Sequence, residues 1–365
     1  MTKNVDALRM LYDKEREVFG YRVYIDSYPR PLNLLTRTPL SMHLLSLGEL
    51  EAAYRSKAVM VDRSVDLKYV GHAIVGLSKY CSFKRNSCID LADMLCKNLE
   101  YLTKYQTKNG ALRCRYISPN DLESGTDGRS IAETTESFLW AIGATCKLNE
   151  NYSEQVEDLA DKAAKAGMWL IENERLLSPQ EMGRTIYGLS LLRDTEPRKE
   201  FTLWIKRLAD DLIHRLGSSK SFGLFPYDID AIGGLSIAYL GTGSSAFLSG
   251  ASRLVQHQLA NQGAEGQWRW FLSRTGKCLK IFDITYSVHQ LGMGPWGFFQ
   301  YLATADNSRH DVYQRVARGI RWILEKRPFA QRFIVRSFSG LTGRPIQLEQ
   351  RTYEAGLNLL GLLSY

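Results

Sequence analysis

Several features common in other protein classes are missing from this 365-residue chain. It has no run of about 18 uncharged apolar residues, so no membrane-spanning helix is expected. The opening residues, MTKNVDALRMLYDKEREVFGYRVY, lack the apolar core of a signal peptide, and a cytoplasmic location is expected. None of the six cysteines (Cys81, Cys88, Cys96, Cys114, Cys146 and Cys278) lies at metal-ligand spacing. Neither a metal site nor a disulfide framework is expected, and no cofactor motif is recognised. Cys96 and Cys146 fall among apolar helical positions and read as core thiols. Strict apolar–polar alternation is nearly absent, which excludes a large half-exposed sheet. Only short pieces such as 112–117 and 333–338 suggest small hairpins. No low-complexity tract occurs.

What is present is a large apolar fraction, 44%, with 11% aromatic residues, enough for a sizeable core. The formal net charge is +8. A basic surface favours anionic partners. No nucleic-acid-binding motif accompanies the charge, so a nucleic-acid partner is not expected. The oligomeric state is left open.

Residues 1–65 read as an N-terminal extension packed on a main domain of 66–365. The extension contains a helix over 5–18. Pro29, Pro31 and Pro39 break any longer one. From Asp66 onward, apolar residues recur at helical spacing in paired segments: 66–80 and 86–106, 130–148 and 153–173, 180–193 and 198–216, 228–241 and 245–260, 285–304 and 309–326, then 350–364. One member of each pair carries charge on one face, as in RKEFTLWIKRLADDLIHRL. The other is nearly uncharged beyond its first turn and rich in Gly, Ala and Ser, as in AIGGLSIAYL. Six such buried segments begin near 69, 130, 181, 228, 285 and 350, a recurrence of 47 to 65 residues. Six inner helices ringed by outer ones make an all-α fold, the (α/α)6 toroid or six-hairpin barrel, with short β-hairpin loops. The segment 5–18 would supply the sixth outer helix. An open α-solenoid is the alternative.

In a toroid the first turns of the inner helices gather at one end. Here those turns read DGRSIAETTE, SPQEMGRT, FPYDIDA, FDITYSVHQ and LEQRTYE. Ser130, Ser178 and Asp228 are plausible helix caps, and Pro179 suits a first helical position. Acidic residues there also complement the helix dipole, so each carboxylate has a structural reading beside a catalytic one. The candidate catalytic residues are Asp228, Asp230, Glu133, Glu354, Tyr286 and His289. Asp228 and Asp230 form a possible carboxylate pair, in which each raises the other's pKa. Asp230 with Glu133 or Glu354 would serve as acid and base in a hydrolase. Tyr286 and His289, three residues apart, would share a target. The candidate substrate-binding residues are Trp268, Trp270, Gln290, Trp296, Arg184, Arg351 and Tyr353. Most of the aromatic ones lie in the long stretch 262–300, which reads as the wall of a cleft. Trp268 and Trp270 have three uses open to them: stacking on a sugar, lining a hydrocarbon pocket, or covering the core.

Two resemblances rest on these residues. The paired segments of 66–364 resemble the six-hairpin toroid shared by several glycoside hydrolases, polysaccharide lyases and sugar epimerases. That resemblance implies an enzyme acting on a glycan or a smaller carbohydrate, with an anionic or uronic-acid-containing one in view of the charge. The chain is also similar to the toroid of terpenoid cyclases and prenyltransferases. Asp228-Ile229-Asp230-Ala231 matches three of the four positions of a cyclase Asp-x-Asp-Asp motif and implies Asp230 as the acid. Gln262 to Trp268 resembles one of their Gln-to-Trp repeats, and Gln106 to Gly110 a fragment of another. Trp268, Trp270, Trp296 and Phe298 would then stabilise a carbocation. A non-catalytic binding or scaffolding toroid is the third reading.

Overall fold

The computed structural model describes residues 2–20, 22–25, 59–62, 64–84, 89–148, 153–218, 225–269, 284–304, 309–325, 329–330, 333–334, 337–339, 345–347 and 349–364. Its helices, in chain order, are α1 (Thr2–Leu11), α2 (Leu67–Phe83), α3 (Ile89–Thr103), α4 (Gly128–Leu148), α5 (Ser153–Glu172), α6 (Pro179–Thr195), α7 (Lys199–Ser218), α8 (Phe225–Thr242), α9 (Ser245–Ala260), α10 (Gly294–Leu302), α11 (Arg309–Glu325) and α12 (Thr352–Leu362).

The uncharged segments form an inner ring. Helix α2 packs on α4, α4 on α6, α6 on α8, α8 on α10, and α12 closes the circle between the α10 hairpin and α2. That closure excludes the open solenoid. The charged segments α3, α5, α7, α9 and α11 each pack outside their inner partner, and α1 packs against α12. Inner helices are buried nearly all round because both neighbours and an outer helix cover them. In α8 every residue from Phe225 to Ala238 except Tyr227 is buried.

Close approach requires the absence of side chains at the contacts. A Cβ at Gly76 would fall 2.0 Å from the Gly356 carbonyl oxygen, and one at Gly183 2.0 Å from that of Asp230. Gly188 meets the Trp140 backbone, and Gly361 meets Gly292. The Gly and Ala content of the inner segments is therefore a packing requirement of the ring.

Helix ends are fixed locally. Ser178 and Glu181 form a capping box with Pro179 at the first position of α6. Asp66 caps α2 through the Lys68 amide. At α4 the cap is Asp127, which accepts from the Ser130 amide and hydroxyl at 3.0 and 2.6 Å, so Ser130 is not the cap. The expected helix 285–304 is interrupted. Ile284–Tyr286 is a strand paired with Ser337–Ser339, and His289–Met293 is one π turn, in which the Gly294 amide donates to the His289 carbonyl five residues back. Pro295 lacks the amide a regular α-turn would use there. The N-terminal helix is shorter than 5–18, ending at Leu11 before a hairpin of Tyr12–Asp13 with Val18–Phe19.

Small strands brace the loops. Tyr116–Ile117 lies between Val65–Asp66 and Glu123–Ser124, and Arg22–Ile25 between Val59–Asp62 and Glu349–Arg351. The two Gln-to-Gly stretches act alike. Gln106 Nε2 donates to the carbonyls of Gly110 and Lys162, and Gln262 Nε2 to those of Gly266 and Arg315. Each ties the loop after one outer helix to the next outer helix. Cys81, Cys114 and Cys146 are buried free thiols, and Cys96, expected in the core, is exposed on α3. Cys88 and Cys278 lie outside the described residues.

A methyl group added at Gly183 runs into the Asp230–Ala231 backbone of α8, which cannot yield as a side chain could. We expect Gly183→Ala to lower the unfolding free energy by about 3 kcal/mol or more. Gly243→Ala, at φ +71° with nothing within 4 Å, should cost only about 1 kcal/mol of backbone strain. Equilibrium denaturation of both variants checks the difference.

Candidate active site at one end of the inner ring

The first turns of five inner segments meet at one cavity of about 190 Å³. Its lining is Lys68, Tyr69 and His72 of α2, Gln180 and Arg184 of α6, Pro226 and Tyr227 of α8, Val288, His289 and Met293 around the π turn, and Tyr353 of α12. Tyr69 and Tyr353 face each other with ring centroids 4.3 Å apart. His289 lies 5.4 Å from the Tyr286 ring, so the expected pairing forms, although Tyr286 ends a strand.

Beneath the cavity lies a buried polar layer. Arg184 Nη2 is 2.8 Å from Asp230 Oδ2, with both side chains almost fully buried. Burial pushes the Asp230 carboxyl up to about 6, against the pull of Arg184 and a hydrogen bond from Gln180. Arg184 Nη1 also lies 3.2 Å from His72 Nε2. A guanidinium only donates, so Nε2 is the acceptor and the proton of neutral His72 sits on Nδ1. Burial and the positive charges of Arg184, Lys68 and Arg115 hold His72 well below the usual histidine range. Glu136 on α4 is fully buried, and neither of its oxygens has a hydrogen-bond partner among the described residues. Burial raises its pKa well above the usual carboxylate range, outweighing Arg184 and Lys68.

The rim is an ion-pair network. Lys68 Nζ is 2.9 Å from Glu133 and 3.9 Å from Glu181. Arg115 bridges Glu133 at 2.6 Å and Asp66 at 3.2 Å. Burial opposes ionisation of Glu133, yet Lys68, Arg115 and Arg129 together hold its pKa low. Its carboxylate is committed to these cations.

The structure thus brings Arg184, His289 and Tyr353 to the cavity, with Asp230 just behind Arg184 and Tyr286 beside His289. It does not bring Asp228 there. Asp228 turns away from Asp230 toward α9, accepting from Gln258 Nε2 at 2.6 Å and lying 3.2 Å from His257 Nδ1. Residues two apart on a helix point in nearly opposite directions, so the carboxylate pair does not form. Nor is Asp228 a cap, since α8 begins at Phe225. Glu354 is buried and accepts from the Tyr353 hydroxyl at 3.1 Å, outside the described lining. Trp268 is a core residue, stacked on Phe225 at 5.4 Å and packed on Phe298 at 5.2 Å. Gln290 holds the Trp268 backbone through both amide atoms. Trp296 packs deep in the ring against Trp140 and Tyr187. Trp270 and the Arg351 side chain lie outside the described residues.

Lys68, Tyr69, His72, Gln180 and Tyr227 are absent from the sequence-derived candidates, and Glu136 appears there only as one carboxylate of the turn DGRSIAETTE. For Lys68, Tyr69 and His72 the signal existed. Segment 66–80 reads as an inner helix, and its first turn belongs with the other five.

A carboxyl with a raised folded pKa binds a proton more tightly folded than unfolded, so it costs stability as pH rises above the unfolded value of about 4.3. Replacing it with Gln removes that loss. The stability of Glu136→Gln relative to the wild type should therefore grow above about pH 4.3, by at most about 1.4 kcal/mol per pH unit, until the folded carboxyl itself ionises. Denaturant titrations from pH 4 to pH 8 read this directly.

No family model matches the sequence, and no curated protein matches it. Solved structures do resemble the fold. Cellobiose 2-epimerase from Bacillus thermoamylovorans B4167 superposes with a TM-score of 0.70 at 11% identity, covering 98% of this chain and 95% of that one. A D-mannose isomerase gives 0.69 at 9% identity over 99% and 95% of the two chains. An α-1,6-mannanase from Salegentibacter sp. HEL1_6 gives 0.61 at 9% identity over 99% and 96%. The chain has the six-hairpin α/α-toroid fold of these carbohydrate-acting proteins.

Proposed function

We propose that this chain is an enzyme acting on a carbohydrate, and that its chemistry is proton transfer at a carbon next to a carbonyl, as in a sugar epimerase or isomerase. One observation carries the reading. The described cavity lining offers two histidines and an arginine and no carboxylate. Glycoside hydrolysis needs two carboxyl groups flanking the bond. Here Asp230 is held by Arg184, Glu133 by Lys68 and Arg115, and Glu354 by Tyr353. The epimerase and the isomerase among the similar structures point the same way.

In this reading His289 is the general base that removes the proton. Arg184 stabilises the oxygen on which negative charge develops, fixed in place by Asp230. Neutral His72, protonated on Nδ1, donates to a substrate oxygen. Tyr69 and Tyr353 supply an aromatic wall for the sugar. A terpenoid cyclase would line its cavity with apolar aromatics. Here Trp268 and Trp296 are core residues, and Asp230 is ion-paired. A scaffold would close the end of the ring with mutually bonded side chains, whereas a cavity remains. The lining cations, Lys68 and Arg184, already face carboxylates, which favours a neutral reducing sugar over a uronic acid.

The test is solvent exchange. Incubated in D2O with D-mannose, D-glucose or cellobiose, the wild type should place deuterium on the carbon beside the carbonyl, read by NMR. His289→Ala should slow that exchange by about 10²- to 10⁴-fold. Asp230→Asn should slow it through misplacement of Arg184. Release of new reducing ends from a glycan, with no deuterium incorporation, would overturn the reading in favour of hydrolysis.

A further inference from the structure

Five buried polar atoms on three adjacent inner helices near the cavity have no hydrogen-bond partner among the described residues. They are His72 Nδ1 on α2, Glu136 Oε1 and Oε2 and Trp140 Nε1 on α4, and Arg184 Nε on α6. Their mutual placement is fixed. His72 packs edge-on to Trp140 at 5.6 Å, the Arg184 guanidinium lies 5.8 Å from the Trp140 ring centre, and Arg184 touches His72 at 3.2 Å. The electrostatic surroundings of Glu136 are Arg184, Lys68, Glu181 and Asp230, which place it in the same cluster. A few orphaned groups per hundred residues are ordinary, but each buried polar group left unmade is unfavourable, and a cluster of them on adjacent helices calls for a partner. Two of the residues, His72 and Arg184, line the cavity itself.

We propose that Glu136, His72 and Arg184 form a buried subsite at the base of the cavity that takes the hydroxyl- and carbonyl-bearing, uncharged end of the sugar. This rests on the carbohydrate reading above. The charge count supports the neutral character. Arg184 is balanced by Asp230, and burial of Glu136 favours its protonated form, so no positive charge is left over for a substrate carboxylate. The hydrogen-bonding inventory supports the ligand class. His72 Nδ1–H, Arg184 Nε–H and Trp140 Nε1–H only donate, while a neutral carboxylic acid both donates and accepts. A sugar carbonyl oxygen can accept from the donors. A neighbouring hydroxyl can donate to the Glu136 carbonyl oxygen and accept from its O–H. A hydrocarbon could satisfy none of them.

The role separates from a merely structural one through replacements of opposite character. Leu fills the volume of Glu136 without polar atoms, and Gln restores one donor and one acceptor. Calorimetric titration with D-mannose, D-glucose and D-glucuronate is run on the wild type, Glu136→Leu and Glu136→Gln, with circular dichroism and melting to verify folding. Neutral sugars should bind the wild type more tightly than glucuronate. Glu136→Leu should lose about 10- to 100-fold in affinity for the neutral sugars without melting lower, the loss expected for hydrogen bonds to a buried ligand. Glu136→Gln should recover affinity to within about threefold of the wild type. Infrared difference spectra of the wild type give a readout that does not depend on the variants folding. The carbonyl stretch of a protonated carboxyl should shift when D-mannose binds, and the band should be missing from Glu136→Gln. Sugars that bind Glu136→Leu as tightly as the wild type, glucuronate binding better than the neutral sugars, or an unshifted carboxyl band on sugar binding would each overturn the subsite. Failure of every sugar to bind the wild type would remove the carbohydrate reading and the subsite with it.

Discussion

The structure depends on how closely its inner helices approach. Six apolar segments form a closed ring only if neighbouring backbones nearly touch, and glycines at the contacts permit this. The Gly76–Gly356 contact is the most telling, because it joins the first complete inner helix to the last and so closes the ring across nearly 300 residues of sequence. Bulky residues there would splay the circle open into a solenoid. The same closeness leaves little space along the axis, and aromatic rings of Trp140, Tyr187 and Trp296 fill it. The cavity lies beyond these rings, toward the first turns of the inner helices.

What collects around that end follows from its electrostatics. Helix N-termini carry unpaired amides and partial positive charge, which favours carboxylates. Asp66 and Glu181 meet that demand as caps. Carboxylates brought together in a buried place then require cations, and Lys68, Arg115, Arg129 and Arg184 supply them. The outcome is a graded site. Fixed ion pairs stand at the rim, His289 and the tyrosines at the wall, and His72, a buried carboxyl and an ion-paired arginine at the base. Environment has assigned different states to chemically equal side chains. Three cations favour the ionised form of Glu133, whereas at Glu136, one turn further in, burial outweighs Arg184 and Lys68 and favours the protonated form. Opposite pKa shifts within a turn of each other are the kind of separation on which acid–base catalysis relies.

The sequence was legible where its signal was periodic and repeated. Helical spacing, the split between charged and uncharged members of each pair, and their recurrence disclosed the toroid and the end at which polar residues gather. Arg184, His289 and Tyr353 were legible as residues of the polar end because they sit in the first turns, and all three line the cavity. Individual side-chain direction was not legible. Asp228 and Asp230 look like a pair in sequence, yet one faces the outer helix α9 and the other the axis. Trp268 looks like a sugar platform, yet Phe225, Phe298 and the bare α-carbon of Gly319 form a slot around it. Tyr286 reads as helical, but pairing with Ser337 makes it the end of a strand.

The sequence by itself determined the helices, their inner or outer place and the polar end of the ring, because these depend on local periodicity and composition. Only the tertiary structure decided which polar side chains meet. His72, Glu136 and Arg184 lie 64 and 48 residues apart in succession, and nothing local links them. They come near one another because three successive inner helices pack side by side, and their pKa shifts exist because that packing removes water. Burial and neighbouring charge are properties of the assembled ring, so the chemistry of the site had to wait for the fold.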